Sequence, residues 1–561
     1  MKVGRYILLL WAAVLGVSTT AAAREFTPGK SYLAPGREPA LTTYALDASA
    51  SGAIRTTNNI VNLTVVSRDA NDLKAEYRAG FIQGKLQGPM IISARDNCWD
   101  NAYLTNPDHT FPKQHGPAQA ELDKAADLLN ANYAAFLQYL EDPATEAETA
   151  HRLKRLLFRM LGIYHGATVD QPAGLDFSGN WLPDGNYFQA SELLLGYETA
   201  GPTFMDVYFV NAFCDLMDVI SFLDLPPGGT RTGAFPDRCS AFLKRAGGEI
   251  ILTHNTWSGF LSQSMAQTLV VNNDMITFNA ATPGLIGSTT DFGYNNKGLM
   301  FNETTHRMSH SQVNPLGLWI FWRAALAEQF SDSITAFFDA ISLDNTGTYL
   351  NGYMLANANT GETGLVEMSY RCFVYYRSTG GPYTVTSRST DGGVCSTDYD
   401  AEMVTPDYLM GINYPASLQV REDLQSTDNR PERRVQFNRW LPGVTNLQTA
   451  RVVITYTDPN NPLSVFGRWD LGYGVTDYPK HIPDGALDAK VGSTEMVRSF
   501  MALAGILDAS AKSTGFWMLY GTPHVQGKPF IWSESPWAWQ PLRDVPDSLD
   551  GKFTLMPLYL R

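Results

Sequence analysis

Cys239 follows a polar, turn-rich stretch, Pro226-Pro227-Gly228-Gly229-Thr230-Arg231-Thr232-Gly233, and precedes a β-rich region that begins near Glu249. A cysteine that opens a strand after a long loop suits the role of an N-terminal nucleophile. Cleavage of the Arg238–Cys239 bond would place a free α-amine beside the thiol, and an amine of ordinary pKa near ~8 takes the thiol proton without a separate base. The thiolate is then the attacking species. The competing reading is a cysteine buried as a small hydrophobe, and the spacing alone leaves both open. Other chemistries lack their residues. There is no Gly-x-Ser-x-Gly elbow, since Trp257-Ser258-Gly259 lacks the first glycine, and no His-Glu-x-x-His, Cys-x-x-Cys or phosphate-binding loop. His306 and His310 stand four apart with no third ligand nearby, so neither a metal nor a cofactor is expected.

The elements that must position Cys239 can be read from periodicity. Residues 24 to about 75 read as strand and turn, with Asn59 to Val66 as a strand. From about 74 to 163 the pattern is helical, with Leu122, Ala125, Ala126, Leu129, Tyr133, Phe136 and Leu140 at three- and four-residue steps. A further helix over about 144–163 carries arginines and lysines on a face read as solvated, and Tyr187 to Tyr197 reads as another helical run. Beyond Cys239 strands are expected at 249–254, 267–271, 275–278, 297–303, 352–356, 364–368 and 372–376, with amphipathic helix over 309–340. Blocks of helices and strands, rather than alternating units, predict an α+β layered architecture.

The chain of 561 residues has 42 Lys and Arg against 56 Asp and Glu, a net charge of −14, which excludes a polyphosphate backbone as partner. Only 17% of residues are charged and 12% are aromatic, enough apolar material for a thick core rather than disorder. Lys2 and Arg5, the apolar run Tyr6 to Val17 and Ala21-Ala22-Ala23 predict a secretory signal peptide over residues 1–23. No later run is long enough to span a membrane, so no integral membrane segment is expected. Asn62 and Asn302 head Asn-x-Thr sequons and are glycosylation candidates. The five cysteines are Cys98, Cys214, Cys239, Cys372 and Cys395, an odd set in an oxidising compartment. Cys372 and Cys395, close in sequence across a Gly-rich turn, are the first expected disulfide.

The block Cys239-Ser240-Ala241-Phe242-Leu243-Lys244, followed by Leu252-Thr253-His254-Asn255-Thr256-Trp257, resembles the phospholipase B-like family. Further blocks resemble it in the same order: Ala75 to Gly84, Asn211 to Asp218, Pro283-Gly284 with Asp291-Phe292, Glu303-Thr304-Thr305, Asn345 to Met354, Pro483 to Val491 and Pro529 to Trp532. Gln83 stands where that family usually has Glu, and Arg238 where its animal members have a small residue.

The resemblance implies an N-terminal-nucleophile (Ntn) hydrolase fold, an αββα sandwich of two mostly antiparallel sheets between helical layers. It implies a proenzyme in which residues 24–238 form a helical chain that stays with the catalytic chain 239–561 after cleavage, by the protein itself or by a trypsin-like protease at Arg238. Cys239 is then the nucleophile, His254 holds or polarises it, and Asn351 offers an oxyanion-stabilising amide. Trp257 and Thr304 fall in the pocket wall, and Glu303 orients the site or pairs structurally. Asp488 and Lys490 read as a structural ion pair. With Cys239 kept as reagent, Cys98, Cys214, Cys372 and Cys395 form an even set. The implied activity is hydrolysis of an ester or amide bond, nominally phospholipid deacylation, by a secreted protein or one in a lysosome-like lumen. The alternatives are an N-acyl amidase of penicillin-acylase type and a catalytically idle binding protein. The implied partner is a lipid or N-acyl small molecule, and a homodimer is allowed.

Overall fold

The computed structural model describes residues 41–105, 116–223, 239–288, 292–306, 308, 312–428, 431–458, 464–467, 484–504, 514–523, 531–535, 538–548 and 550–557. The segment read as a signal peptide, the 226–233 stretch, Arg238 and His310 lie outside them.

Twenty-one strands and ten α-helices are described. An eleven-stranded sheet runs in the order β1 (Thr42–Asp47), β2 (Ala50–Thr57), β3 (Ile60–Ser67), β7 (Met265–Val271), β8 (Met275–Ala281), β9 (Phe292–Asn295), β10 (Leu299–Thr305), β11 (Asn351–Asn357), β12 (Thr363–Met368), β13 (Cys372–Ser378) and β14 (Thr384–Ser389). A six-stranded sheet runs β15 (Tyr408–Gly411), β4 (Ser240–Ala246), β5 (Glu249–Asn255), β17 (Asp488–Ser493), β18 (Thr514–Tyr520) and β21 (Thr554–Pro557). Two short pairs complete the set: β6 (Trp257–Gly259) with β16 (Asp484–Ala486), and β19 (Thr522–Pro523) with β20 (Asp550–Gly551). Within the large sheet only β3 and β7 pair in parallel, and they join the two sides of Cys239 into one sheet.

Side-chain alternation explains the layering. On β7, Met265, Leu269 and Val271 belong to a core shared with helices, whereas Ala266 and Val270 belong to the core between the sheets. The inter-sheet core is closed by aromatic contacts such as Phe278 on Phe516, with ring centroids 4.5 Å apart. The helices outside the large sheet are α1 (Asp72–Thr105), α2 (Gln119–Glu141), α3 (Ala147–Thr168), α4 (Phe204–Leu223) and α5 (Ile320–Phe330). Next come α6 (Ile334–Ile341), α7 (Leu418–Leu424) and α8 (Pro431–Trp440), and α9 (Leu447–Ile454) and α10 (Thr494–Ala504) pack on β5, β17 and β18. This is the expected α+β sandwich.

Four expectations change. The basic face of α3 is not solvated: Arg155 and Arg159 are buried, and Glu76 of α1 accepts from Arg155 Nε at 3.1 Å and Arg159 Nε at 2.8 Å. Their charges are met by a carboxylate on a neighbouring helix, which no single-helix pattern reveals. The 187–197 run forms only a short 3₁₀ turn at Ala190–Leu193. The 309–340 region holds α5 and α6, and α5 is buried on every side rather than amphipathic. Asn62 and Asn302 sit buried in central strands, so neither side chain is accessible for a glycan in the folded chain.

Gly80 and Gly84 of α1 interlock with Gly162 and Gly166 of α3. A Cβ on Gly162 would stand 2.1 Å from the Tyr77 carbonyl oxygen, and one on Gly84 2.1 Å from that of Ile163. The glycines therefore set the helix separation that lets Glu76 reach its arginines. Gly162→Ala is expected to destabilise the chain by about 1–3 kcal/mol by overpacking. Gly174→Ala, whose Cβ meets nothing within 4 Å, should stay within ~0.5 kcal/mol of wild type. Denaturant unfolding of both variants measures the difference.

Candidate active site

The hairpin β4–β5 turns at Gly247-Gly248, where both residues have positive φ, as a tight hairpin turn demands. The turn sets a register in which Ser240 faces Asn255 and Ala241 faces His254, and β17 then places Lys490 directly across from His254. Cys239 sits immediately before β4 with φ of 71°, a left-handed conformation costly for a residue with a Cβ. It is 2% exposed. The Cys239 Sγ, a ring nitrogen of His254 and a carboxylate oxygen of Glu303 on β10 all lie within 4.8 Å of one another. The two ends of the β4–β5 hairpin and a strand of the other sheet thus converge at one buried point.

Two sets of contacts hold that point. Asn255 Oδ1 accepts from Ser240 N at 2.8 Å and Trp257 Nε1 at 2.9 Å, tying the start of β4 to the indole. Arg433 of α8 donates through Nη1 to the Cys239 carbonyl and to Asn413 Oδ1, both at 2.7 Å, and its guanidinium lies 5.4 Å from the Trp257 ring centroid. On the other side, Lys490 Nζ donates to Asp488 Oδ1 at 2.6 Å and Thr256 Oγ1 at 2.5 Å, and lies 3.3 Å from His254 Nδ1. Asp488 also accepts from Thr256 N at 2.9 Å and Ser264 Oγ at 2.5 Å.

Electrostatics fix the state of His254. Burial first and Lys490 second hold its pKa well below the usual 6.5, with the Glu303 main chain acting in the opposite sense. The ring is neutral; Nδ1 accepts from the lysine, which assigns the proton to Nε2. Nε2 has no hydrogen-bond partner among the described residues.

Cys239 opens onto a cavity of about 100 Å³ lined by Trp257, Leu487, Asp488, Tyr349 and, from α1 and α4, by Cys98, Asn101, Val210, Phe213 and Cys214. Asn351, the first residue of β11, is buried opposite Thr305, and its Nδ2 donates to the Tyr353 hydroxyl at 3.3 Å. Thr304 packs against Gly411 of β15, between the sheets. The expected Cys372–Cys395 disulfide is present, and Cys98, Cys214 and Cys239 stand outside it. Cys98 and Cys214 face the same cavity rather than joining the expected even set of bridges.

A model of the phospholipase B family matches residues 186–556. The chain belongs to the phospholipase B family. The match takes in Cys239, His254, Glu303, Asn351 and Lys490, and leaves α1 to α3 outside. Among related chains, phospholipase B-like protein B of Dictyostelium discoideum is 22% identical over 390 residues, 62% of this chain and 64% of that protein. Phospholipase B of Crotalus adamanteus is 24% identical over 361 residues, 57% of this chain and 62% of that protein. Human phospholipase B-like 1 is 27% identical over 192 residues, 31% and 34% of the two chains. The chain thus aligns with just under two thirds of the Dictyostelium relative's length.

Sequence reading missed Arg433 and Asn255. Arg433 lies in a polar helix beside Arg434, and nothing in composition separates the buried arginine from its neighbour. Asn255 is the residue after His254, and strand alternation alone could have sent it to the opposite face. Lys490 and Asp488 do form an ion pair, and the structure adds that Lys490 also faces His254. Replacing Lys490 by Met removes the cation from a fully buried Asp488, which is expected to cost about 3–5 kcal/mol, with Asp488→Asn restoring part of the loss. Denaturant unfolding of the single and double variants checks this.

Proposed function

We propose that this chain is an acyl hydrolase whose nucleophile is Cys239, exposed as an N-terminus by cleavage after Arg238. The observation that carries the reading is the convergence of Cys239, His254 and Glu303 within 4.8 Å, with Cys239 lining a cavity. The strained φ at Cys239 supports cleavage at that bond, because hydrolysis of the preceding peptide releases the constraint. The parallel pairing of β3 with β7 and the shared helical core supply a reason for the two parts, 24–238 and 239–561, to stay together once cut.

The mechanism follows from the groups present. The released α-amine takes the thiol proton, and the thiolate attacks the acyl carbonyl to give a tetrahedral oxyanion. Asn351 is our assignment for the amide that stabilises it; one such donor is worth roughly 3 kcal/mol of barrier. Collapse expels the alcohol or amine, which takes the proton back from the ammonium, and leaves a thioester at Cys239. Water then hydrolyses the thioester, yielding the carboxylic acid and restoring the thiol. Neutral His254, held by Lys490, positions the thiol by hydrogen bonding rather than by carrying charge. Trp257 and the apolar side chains of α4 line the acyl site.

The same chemistry serves an ester or an amide, so phospholipid deacylation and N-acyl amide hydrolysis are both within reach of the site. The disulfide and the N-terminal segment support an oxidising compartment, the exterior or a lysosome-like lumen.

N-terminal sequencing of active protein should find Cys239 as a new terminus, and Cys239→Ala should lose about a thousandfold or more in turnover on a panel of phospholipids and N-acyl amides, staying uncut where the protein cleaves itself and being cut where a protease acts at Arg238. An active preparation made only of uncut chain would refute the reading.

A further inference from the structure

Cys239, His254 and Glu303 offer a thiol sulfur, an imidazole nitrogen and a carboxylate oxygen, one from each residue, all buried and within 4.8 Å of one another. In a tetrahedral zinc site with Zn–S near 2.3 Å and Zn–N near 2.0 Å, ligand atoms stand about 3.5 Å apart, so modest side-chain rotations bring the three together. We propose that these three residues form a zinc-binding site that reversibly blocks the Cys239 thiol.

Four observations support it. The donor set is that of zinc: thiolate and imidazole select borderline and soft cations over calcium and magnesium, which require oxygen ligands. His254 is fully buried with Nδ1 3.3 Å from Lys490, which leaves Nε2 as the nitrogen for a metal; binding shifts the ring proton from Nε2 to Nδ1 and turns the Lys490 ammonium away from the ring, onto Asp488 and Thr256 alone. Charge balances. Thiolate and carboxylate together carry the two negative charges that a divalent ion cancels, and the nearby Lys490 is already matched by Asp488. Access exists too, because Cys239 lines a cavity of about 100 Å³, more than a single water needs.

Binding displaces the thiol proton to solvent and forms one Zn–S, one Zn–N and one Zn–O bond, leaving the fourth position to water from the cavity. No oxidant or reductant is involved.

The inference rests on the geometry of the three donors and not on the hydrolase reading, and its test separates the two. Purified full-length chain, stripped with EDTA, is titrated with Zn²⁺ by calorimetry and with Co²⁺ by absorbance, with Ca²⁺ and Mg²⁺ as controls. One ion per chain and a thiolate-to-cobalt charge-transfer band are expected. Loss of an outer-sphere partner alone weakens metal sites by about 10–100-fold, so Cys239→Ala and Glu303→Gln should each weaken binding by at least that much. In parallel, alkylation of the native wild-type chain is followed by mass spectrometry at each cysteine. Zn²⁺ should slow labelling of Cys239, and EDTA should restore it, a measurement that stands even where a variant fails to fold. Absence of stoichiometric binding, unchanged affinity in Cys239→Ala, or protection of Cys98 or Cys214 in place of Cys239 overturns the proposal. A chain that binds zinc at Cys239 yet hydrolyses nothing would refute the hydrolase reading and leave this one standing.

Discussion

Lys490 and Asp488, two residues apart on β17 and wholly buried, face each other at 2.6 Å, and the chemistry of the centre depends on that pair. A buried ion pair adds little to stability by itself, because desolvation cancels most of its attraction, but removing either partner is costly. What it does here is positional. The lysine lies directly across from His254 in the β5–β17 register and adds to burial in keeping the imidazole neutral, while the aspartate binds the Thr256 amide that follows β5. The strand that carries His254 is thereby held to its neighbour by side chains as well as by its backbone ladder.

The centre also depends on two sheets meeting at one depth. Cys239 stands at the entry to the six-stranded sheet, His254 belongs to it, and Glu303 belongs to the eleven-stranded one. Asn302, beside Glu303, donates to the Thr253 carbonyl at 2.7 Å and bridges the sheets one residue from His254. Arg433 closes the arrangement from α8 by gripping the Cys239 carbonyl. The helical layer enters through the cavity, whose walls on one side come from α1 and α4. Of these, α1 is seated against α3 by the glycine contact and the buried Glu76–Arg155–Arg159 cluster.

Much of the fold was legible because it rests on local periodicity. The strands around 249–254, 267–271 and 352–356 and the helix α2 stand close to where alternation and three-to-four spacing put them. The misses share a cause. Arg155 and Arg159 looked like a solvated face because their partner, Glu76, is some eighty residues away in sequence. The sequons at Asn62 and Asn302 read as glycosylation candidates, whereas both side chains are buried in central strands. In the site itself Cys239 stood out by its place after a loop, and the resemblance named His254 and Asn351. Arg433 carried no signal, because a buried arginine and an exposed one look alike in a polar helix.

The sequence by itself determined the element types, the α+β class, the Cys372–Cys395 pairing and the cysteine worth suspecting. These follow from residue properties that act over a few positions: side-chain alternation, helical spacing, turn-forming glycines and a short loop between two thiols. Only the tertiary structure decided which groups meet Cys239, since His254, Glu303 and Arg433 reach it through strand register, sheet stacking and a distant helix. The charge state of His254 was settled there as well, because it comes from burial and from one lysine more than two hundred residues away, and neither is a property of its neighbours in the chain.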